Sequence, residues 1–179
     1  MPSESPALDS STTGCEGDIP SLVRTLAGRD GLARKQARRC LIRMGEDAVD
    51  PLVEALGDAN AVLRTEAAEA LLYLSSPRAA PALVAALEDE EFGVRWLAAE
   101  ALIALRCDGM VPLLEALIRR SDSLWFRQAA HHVLRDHYCE RMRDELQPLL
   151  EALSERDAED TAPVFAGQVL KTLSPAMSR

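Results

Sequence analysis

The histidines are the side chains best suited to metal or acid–base chemistry, and all three fall within seven positions of the chain. They are His131, His132 and His137. A metal ion needs ligands that converge on one point, usually at i, i+3 or i, i+4 of a helix. His131 and His132 are adjacent and point about 100° apart on a helix, so only Asp136, four residues after His132, has ligand spacing. We therefore expect no metal site and interpret the histidines as a surface cluster that titrates near neutral pH.

No sequence motif nominates a nucleophile or a cofactor. The chain has no G-x-S-x-G, P-loop or G-x-G-x-x-G segment. Cys40 follows two arginines, which favours a reactive thiolate, but an inert buried thiol is the commoner state and is the one we expect. The four cysteines (Cys15, Cys40, Cys107 and Cys139) are far apart and lack C-x-x-C spacing. This spacing argues against a zinc knuckle or a disulfide framework and favours a reduced, cytoplasmic protein.

Composition narrows the classes of partner. The formal net charge is −9, and an acidic surface repels phosphate backbones, so we expect no nucleic-acid partner. No run of about 18 apolar residues predicts a membrane span. The N-terminal segment 1–17 has neither a basic start nor an apolar run, so it predicts a flexible tail and no signal peptide.

The sequence contains a repeat with a short period, and the repeated elements must position any functional residues. "VRWLAAEALIAL", Val94 to Leu105, nearly copies "LRTEAAEALLYL", Leu63 to Leu74. Prolines before leucine-rich runs recur at spacings of 31, 30, 31 and 36: Pro20, Pro51, Pro81, Pro112 and Pro148. Arginines recur at 30, 31 and 32, each preceded by an acid: Asp30 and Arg34, Asp58 and Arg64, Asp89 and Arg95, Asp122 and Arg127. Such markers indicate a stack of similar parts.

Each repeat is predicted to form two helices. The first opens near its proline, because the first helical turn does not need that N–H. In the second, apolar positions follow i, i+3, i+4, i+7, with an alanine that lets the partner helix come close. The predicted fold is an all-α, right-handed α-solenoid of about five helical hairpins. The predicted units are 18–48, 49–78, 79–108, 109–145 and 146–174, between a tail at 1–17 and one at 175–179.

The segment from Asp89 to Leu102, with its "VRWLAAEAL", resembles the HEAT repeat in the short form of the phycobilin-lyase-like HEAT family. The resemblance covers roughly 18–173 and implies an armadillo-like array that binds proteins. It also implies that the Asp–Arg pairs above form a structural ladder, from acid to arginine and from arginine to loop carbonyls, that joins neighbouring repeats.

The enzymes among the HEAT-repeat proteins that this chain resembles each require particular residues. Hydroxylase-like members hold iron through His-Glu dipeptides, which this chain lacks. DNA-glycosylase-like members need a basic groove, which the acidic charge opposes. Bilin-lyase-like members are closest in repeat length, so an accessory role in attaching chromophores to phycobiliproteins is the alternative function, although no motif shows bilin handling. We expect no catalytic residue and no cofactor.

The resemblance implies that the second helices line the concave side. Positions one, five and nine after each ladder arginine then face solvent. The predicted partner-binding residues are Lys35, Arg39, Arg43, Thr65, Glu69, Tyr73, Trp96, Glu100, Gln128 and His132. Trp96 is the expected anchor of a protein partner, unless it packs against a neighbouring repeat. Trp125, next to Phe126, is expected in the core.

Charge is distributed unevenly along the array. Residues 24–43 carry seven basic groups and one acid, whereas 44–104 carry twelve acids and three basic groups. Such polarity orients a partner during encounter. The sequence therefore predicts a non-enzymatic scaffold or adaptor that binds a protein segment or domain through its concave second-helix face.

Overall fold

Short α-helices in antiparallel pairs make up the part of the chain that the structure describes. This computed structural model describes residues 15, 17–136 and 142–173, and these residues contain no strand. Their ten α-helices are α1 (Ile19–Leu26), α2 (Gly31–Met44), α3 (Val49–Leu56), α4 (Ala61–Leu74), α5 (Ala80–Ala86), α6 (Phe92–Leu105), α7 (Cys107–Arg119), α8 (Leu124–Asp136), α9 (Arg143–Ser154) and α10 (Ala158–Leu173). Two 3₁₀ turns, Gly45–Ala48 and Pro77–Ala79, precede α3 and α5.

Polar caps define where several helices begin. The Asp18 carboxylate accepts a hydrogen bond from the Ser21 N–H at the start of α1. Asp30 caps α2 and Asn60 caps α4 in the same way. These side chains satisfy N–H groups that have no partner within the helix, so the capping residues separate each helix from the loop before it.

The prolines mark helix starts less uniformly than the repeat predicts. Pro20 and Pro81 lie in the first turns of α1 and α5, as expected. Pro112 and Pro148 lie inside α7 and α9, which begin at Cys107 and Arg143. In these two helices the proline removes a backbone donor in the second turn instead of marking the start. The spacing of prolines alone does not distinguish the two positions.

The helices form two parallel rows, which makes the described fold the predicted α-solenoid. The first helices of the hairpins, α1, α3, α5 and α7, pack against one another in sequence order, and so do the second helices, α2, α4, α6 and α8. Leucines and alanines fill the space between the rows. The fully enclosed leucines among the described residues are Leu26, Leu41, Leu52, Leu71, Leu83, Leu87, Leu102, Leu113, Leu114, Leu117 and Leu149. Alanine brings neighbouring helices close, so one continuous core runs through the stack.

The fifth hairpin enters the stack in the reverse order. Its first helix, α9, packs against α8, and its second helix, α10, packs against α7. The last pair is therefore turned over relative to the other four, with α9 beside the second helices and α10 beside the first. The sequence predicts an atypical terminal repeat, but it does not predict this exchange of rows.

The cysteine prediction is wrong. Cys15 and Cys40 form a disulfide with a Cα–Cα distance of 5.3 Å. The expectation of no disulfide came from distances along the sequence, and α1 folds back along α2 so that residues 25 apart meet. Cys15 belongs to the predicted N-terminal tail, yet it packs against the core. Apart from Cys15 and Gly17, that tail lies outside the described residues, as does 175–179.

The helices are too short or too polar to cross a bilayer. Among the residues with described positions, no helix combines the length and the hydropathy of a membrane span.

Candidate functional site

Each ladder arginine holds the loop that precedes its own helix. Arg64 Nη1 donates to the carbonyl oxygens of Asp58 at 2.9 Å and Ala59 at 3.1 Å. The equivalent bonds run from Arg34 to Gly28 and Arg29, from Arg95 to Asp89 and Glu90, and from Arg127 to Ser121. The repeated arginine therefore ties together the two helices of one hairpin, because these carbonyls belong to the turn between them.

Some of these arginines also reach the next hairpin. Arg64 Nε lies 2.7 Å from Asp89 Oδ2, and Arg64 Nη2 lies 3.0 Å from both Asp89 Oδ1 and Glu90 Oε1. The hydrogen bonds that Arg64 donates to Asp89 raise the pKa of this buried guanidinium. Arg34 instead contacts Glu66 on α4 at 2.9 Å.

The acids of the predicted ladder have different roles. Asp89 forms an ion pair with Arg64, whereas Asp30 caps α2 and Asp58 accepts a hydrogen bond from the Asn60 N–H. Within the described residues, Asp122 pairs with no arginine. The four acids stand four, six, six and five residues before their arginines. Asp30, Asp58 and Asp89 each accept a hydrogen bond from the N–H two residues later, and among the described residues only Asp89 also meets a ladder arginine. The feature that all four repeats share is therefore the arginine–carbonyl contact.

The ten predicted partner-binding residues all reach solvent to some degree. We call this surface the second-helix face. Six of them are exposed: Lys35, Arg39, Arg43, Tyr73, Trp96 and Gln128. The other four are half-buried: Thr65, Glu69, Glu100 and His132. Exposure makes them available to a partner, and their role in binding stays a prediction.

An open groove of about 450 Å³ lies between α6 and α8 on this face. We call it the aromatic groove. Its lining consists of Phe92, Arg95, Trp96, Ala99, Trp125, Gln128, Ala129 and His132. The small side chains of Ala99 and Ala129 leave the space between the two helices open, while larger side chains form the walls.

Trp96 is partly exposed and also contacts the neighbouring repeat. It is 48% exposed, and its ring stacks on the His132 imidazole of α8 with centroids 5.3 Å apart. Phe92 stacks on its other side at 6.4 Å. Trp96 therefore packs across a repeat boundary and still presents about half of its surface to solvent, and its role as an anchor stays a prediction.

Trp125 contradicts its predicted place in the core. It is 60% exposed, whereas Phe126 is fully buried. Adjacent residues point about 100° apart on a helix, so only one of the two can face the core. The Trp125 ring lies 4.3 Å from the guanidinium carbon of Arg95 in the preceding repeat. Arg95 thus meets an aromatic face where Arg64 meets a carboxylate.

Sequence reasoning missed a row of apolar residues at the start of the second helices. Leu32, Val62 and Trp125 each stand two positions before a ladder arginine, and all three are exposed. This position is three residues before the first predicted face position, so both lie on one side of the helix. Extending the predicted rows by one turn towards the N-terminus would have found them.

The histidines do not converge on one point. His132 Nδ1 lies 3.2 Å from Asp136 Oδ2 and its Nε2 lies 3.5 Å from Glu100 Oε1. His131 Nε2 instead faces Ser154 Oγ on α9 at 3.3 Å. His137 lies outside the described residues. Within the described part, no three His, Cys, Asp or Glu side chains form a group that could hold a metal ion.

The environments of this cluster shift two ionisation equilibria. Burial lowers the pKa of His131, and the charge of Arg135 acts in the same direction. Hydrogen bonding from Arg135 lowers the pKa of Asp136. His131 therefore favours its neutral form, and Asp136 favours its ionised form. These preferences are those of polar side chains at the end of a helix and do not indicate an acid–base pair.

Comparison with known proteins agrees with this architecture. The family model for HEAT repeats matches residues 19–103 and again 49–135, so the two matches together extend over more than half of the chain. The matched description names no phycobilin-lyase subfamily. A comparison with curated proteins gives no match. The repeated helical hairpins, their arginine–carbonyl contacts and this match lead to one conclusion: the chain belongs to the HEAT-repeat family.

Proposed function

We propose that this protein is a non-enzymatic scaffold or adaptor that binds a protein partner through its second-helix face. The aromatic groove is the centre of the proposed contact. One observation carries the proposal: three large aromatic side chains of this groove, Phe92, Trp96 and Trp125, are 68%, 48% and 60% exposed. Burying a fully exposed ring of this size is worth about 1.5–3 kcal/mol, so these half-exposed rings each forgo about half of that, which a partner can recover.

The distribution of aromatic residues strengthens this argument. The chain has only two tryptophans, two tyrosines and three phenylalanines. Both tryptophans lie at the aromatic groove, and Tyr73, which is 64% exposed, lies on the same face one repeat away. Isolated exposed apolar residues are ordinary, but a contiguous group marks an interaction surface. Tryptophan and tyrosine are also enriched among the residues that dominate binding energy.

The shape of the site favours a protein segment over a small substrate. The groove is open to solvent, and five of its eight lining residues are apolar: Phe92, Trp96, Ala99, Trp125 and Ala129. A stack of hairpins presents an extended surface, which suits an extended segment or the edge of a domain. HEAT repeats commonly serve in protein interactions, which supports this class of partner.

Affinity capture with matched variants tests the proposal. The intact protein, the double variant Trp96→Ala/Trp125→Ala and the control Ile118→Ala are used as bait in extracts of cells that produce the protein. Ile118 is 40% exposed on α7, in the row of first helices. We expect a stoichiometric partner with the intact protein and the control, and its loss with the double variant, whose circular dichroism should show that it remains folded at the temperature of the assay. Equal capture by all three baits would contradict the proposal.

A further inference from the structure

We infer that the segment bound by the second-helix face is an acidic one that also carries an aromatic or large apolar anchor. This inference rests on the proposed function and specifies the chemistry of the partner. The anchor enters the aromatic groove, and the carboxylates lie along α2. Three observations on the charges of the second-helix face carry the inference.

First, α2 carries a stripe of uncompensated positive charge. Lys35, Arg39 and Arg43 follow one another at i, i+4 and i+8, so they lie on one side of the helix. All three are exposed, and none is within ion-pair distance of a carboxylate among the described residues. We call them the basic stripe. Like charges at this spacing destabilise an isolated helix, whereas carboxylates from a partner stabilise it.

Second, the acids of α4 that face α2 are already paired. Arg34 and Arg38 both contact Glu66, and Arg38 also contacts Glu69 at 2.7 Å. These ion pairs join α2 to α4 and neutralise the acids of α4 that face α2. The charge of the basic stripe is therefore not cancelled by the neighbouring repeat.

Third, the aromatic groove contains no carboxylate in its lining. Its ionisable side chains are Arg95 and His132. Glu100, just outside, faces His132 at 3.5 Å. Arg95 already occupies the cation position over the Trp125 ring, so a cationic side chain from a partner would meet a like charge there. An aromatic or apolar anchor, with or without a carboxylate beside it, meets no such repulsion.

Three of the four loop acids before α6 are paired, so among the described residues only Glu91, which precedes Phe92, is left without an ion pair there. Asp89 and Glu90 contact Arg64, and Glu88 contacts Arg120 at 3.1 Å. The net charge of −9 belongs to the whole chain. Charges separated by more than about 8 Å are largely screened at physiological ionic strength. The charges close to the bound segment, and not the net charge of the chain, therefore determine which segment the surface attracts.

The geometry of the stack also sets the length of the segment. The basic stripe and the aromatic groove are separated by α4, and α2, α4, α6 and α8 pack in that order. Packed helices lie about 8–10 Å apart, which places the two features about 20–25 Å apart. An extended chain advances about 3.3 Å per residue, so about six to eight residues connect the acidic part to the anchor.

Fluorescence anisotropy on the intact protein with synthetic peptides tests the inference. The probe carries four glutamates, a flexible Gly/Ser spacer of about seven residues and a Trp-Leu anchor, and it is made in both orders of acid and anchor. A second peptide replaces the glutamates with lysines. A labelled DNA duplex is the third probe, because a basic stripe also suits a phosphate backbone.

We expect one order of the acidic peptide to bind at least about tenfold more tightly than the lysine peptide or the duplex. Lys35→Glu/Arg39→Glu should weaken that binding about tenfold at low salt and less at 0.5 M NaCl. Trp96→Ala/Trp125→Ala should weaken it about 30-fold at both salt concentrations. Arg119→Glu, an exposed charge reversal on α7, is the matched control and should have no effect.

Several results would overturn the inference. These are equal or absent binding of the acidic and basic peptides, no effect of the Lys35→Glu/Arg39→Glu reversal, or preferred binding of the duplex. The proposed function fails separately. If affinity capture depends on the aromatic groove but not on Lys35 and Arg39, the scaffold proposal stands and the acidic partner is wrong. If capture does not depend on the groove, both are wrong.

Discussion

At the scale of single residues, Arg64 shows how one side chain joins two repeats. Its guanidinium is 6% exposed and binds two carbonyls of its own hairpin and two carboxylates of the next. The other ladder arginines make fewer of these contacts. Arg95 replaces the carboxylate with the ring of Trp125. The boundary between the second and third hairpins is therefore held by polar contacts, and the following boundary by aromatic ones.

Replacing Arg64 tests this difference. Arg64→Ala leaves the Asp89 carboxylate without its partner in a site that is largely closed to water, so we expect a loss of about 3 kcal/mol in the free energy of unfolding. Urea denaturation followed by circular dichroism measures it. Arg78→Ala, which breaks an exposed pair with Asp50, is the control and should move the midpoint little. Equal effects of the two substitutions would show that the buried contact has no special weight.

Arg106 adopts a backbone conformation that normally requires glycine. Its φ is 54° and its ψ is −130° in the turn between α6 and α7. Gly45 has nearly the same conformation, φ 68° and ψ −136°, after α2. Such angles strain a residue that has a Cβ atom. Arg106→Gly should therefore raise the free energy of unfolding by about 1 kcal/mol.

The reciprocal substitution at Gly45 is the control for Arg106. A Cβ added at Gly45 meets no atom within 4 Å, so Gly45→Ala introduces backbone strain without a clash. Thermal unfolding should show a lower midpoint for Gly45→Ala and a higher one for Arg106→Gly. Shifts in the same direction would mean that backbone strain in these two turns does not determine the change in stability.

At the scale of elements, the reversed fifth hairpin decides how the array ends. The α10 helix packs against α7 through small side chains, since Ala162 and Ala166 are fully buried. This contact covers the side of α7 that a following repeat would otherwise cover. The apolar edge of a repeat needs a neighbouring element to cover it, and α10 supplies this cover for α7.

Two adjacent positions of α10 test the contact. Ala166→Leu overfills the packed side and should cost about 2 kcal/mol. Gly167 is half-buried in the same helix, and a Cβ atom added there meets nothing within 4 Å, so Gly167→Ala should stabilise the protein by up to about 1 kcal/mol. Chemical denaturation distinguishes the two. If Ala166→Leu were neutral, α10 would not be packed closely at this position.

At the scale of the whole molecule, the two ends of the array are closed by different means. The C-terminal end has the reversed hairpin, and the N-terminal end has the Cys15–Cys40 disulfide, which fixes the segment before α1 to α2. The disulfide also connects redox conditions to the helix that bears the basic stripe. The cysteines therefore no longer support a reducing compartment for this protein.

The disulfide can be tested by chemistry and by stability. Peptide mapping without reductant should recover Cys15 and Cys40 as a linked pair. Cys15→Ser should cost about 3 kcal/mol, because the bond closes a loop between residues 25 apart in the unfolded chain. Cys107→Ser is the control substitution and should leave both the linked pair and the unfolding midpoint unchanged. Alkylation of Cys15 in the native, unreduced protein would contradict the bond.

Local patterns in the sequence determined the helices, their pairing and the repeat. The recurring arginines and leucines set the period, and the helical period decided which positions face the core. These features depend on residues close in sequence or one repeat apart. The acid–arginine contacts between repeats were instead expected from the resemblance to HEAT repeats, and among the described residues only Asp89 of the four ladder acids meets a ladder arginine.

The tertiary structure alone decided three features: the Cys15–Cys40 bond, the exchange of rows by α9 and α10, and the aromatic groove. The groove depends on the gap between two particular helices, which the small side chains of Ala99 and Ala129 leave open together. Periodicity describes one helix at a time. These features instead arise at contacts between two elements, each of which differs from the equivalent element in other repeats.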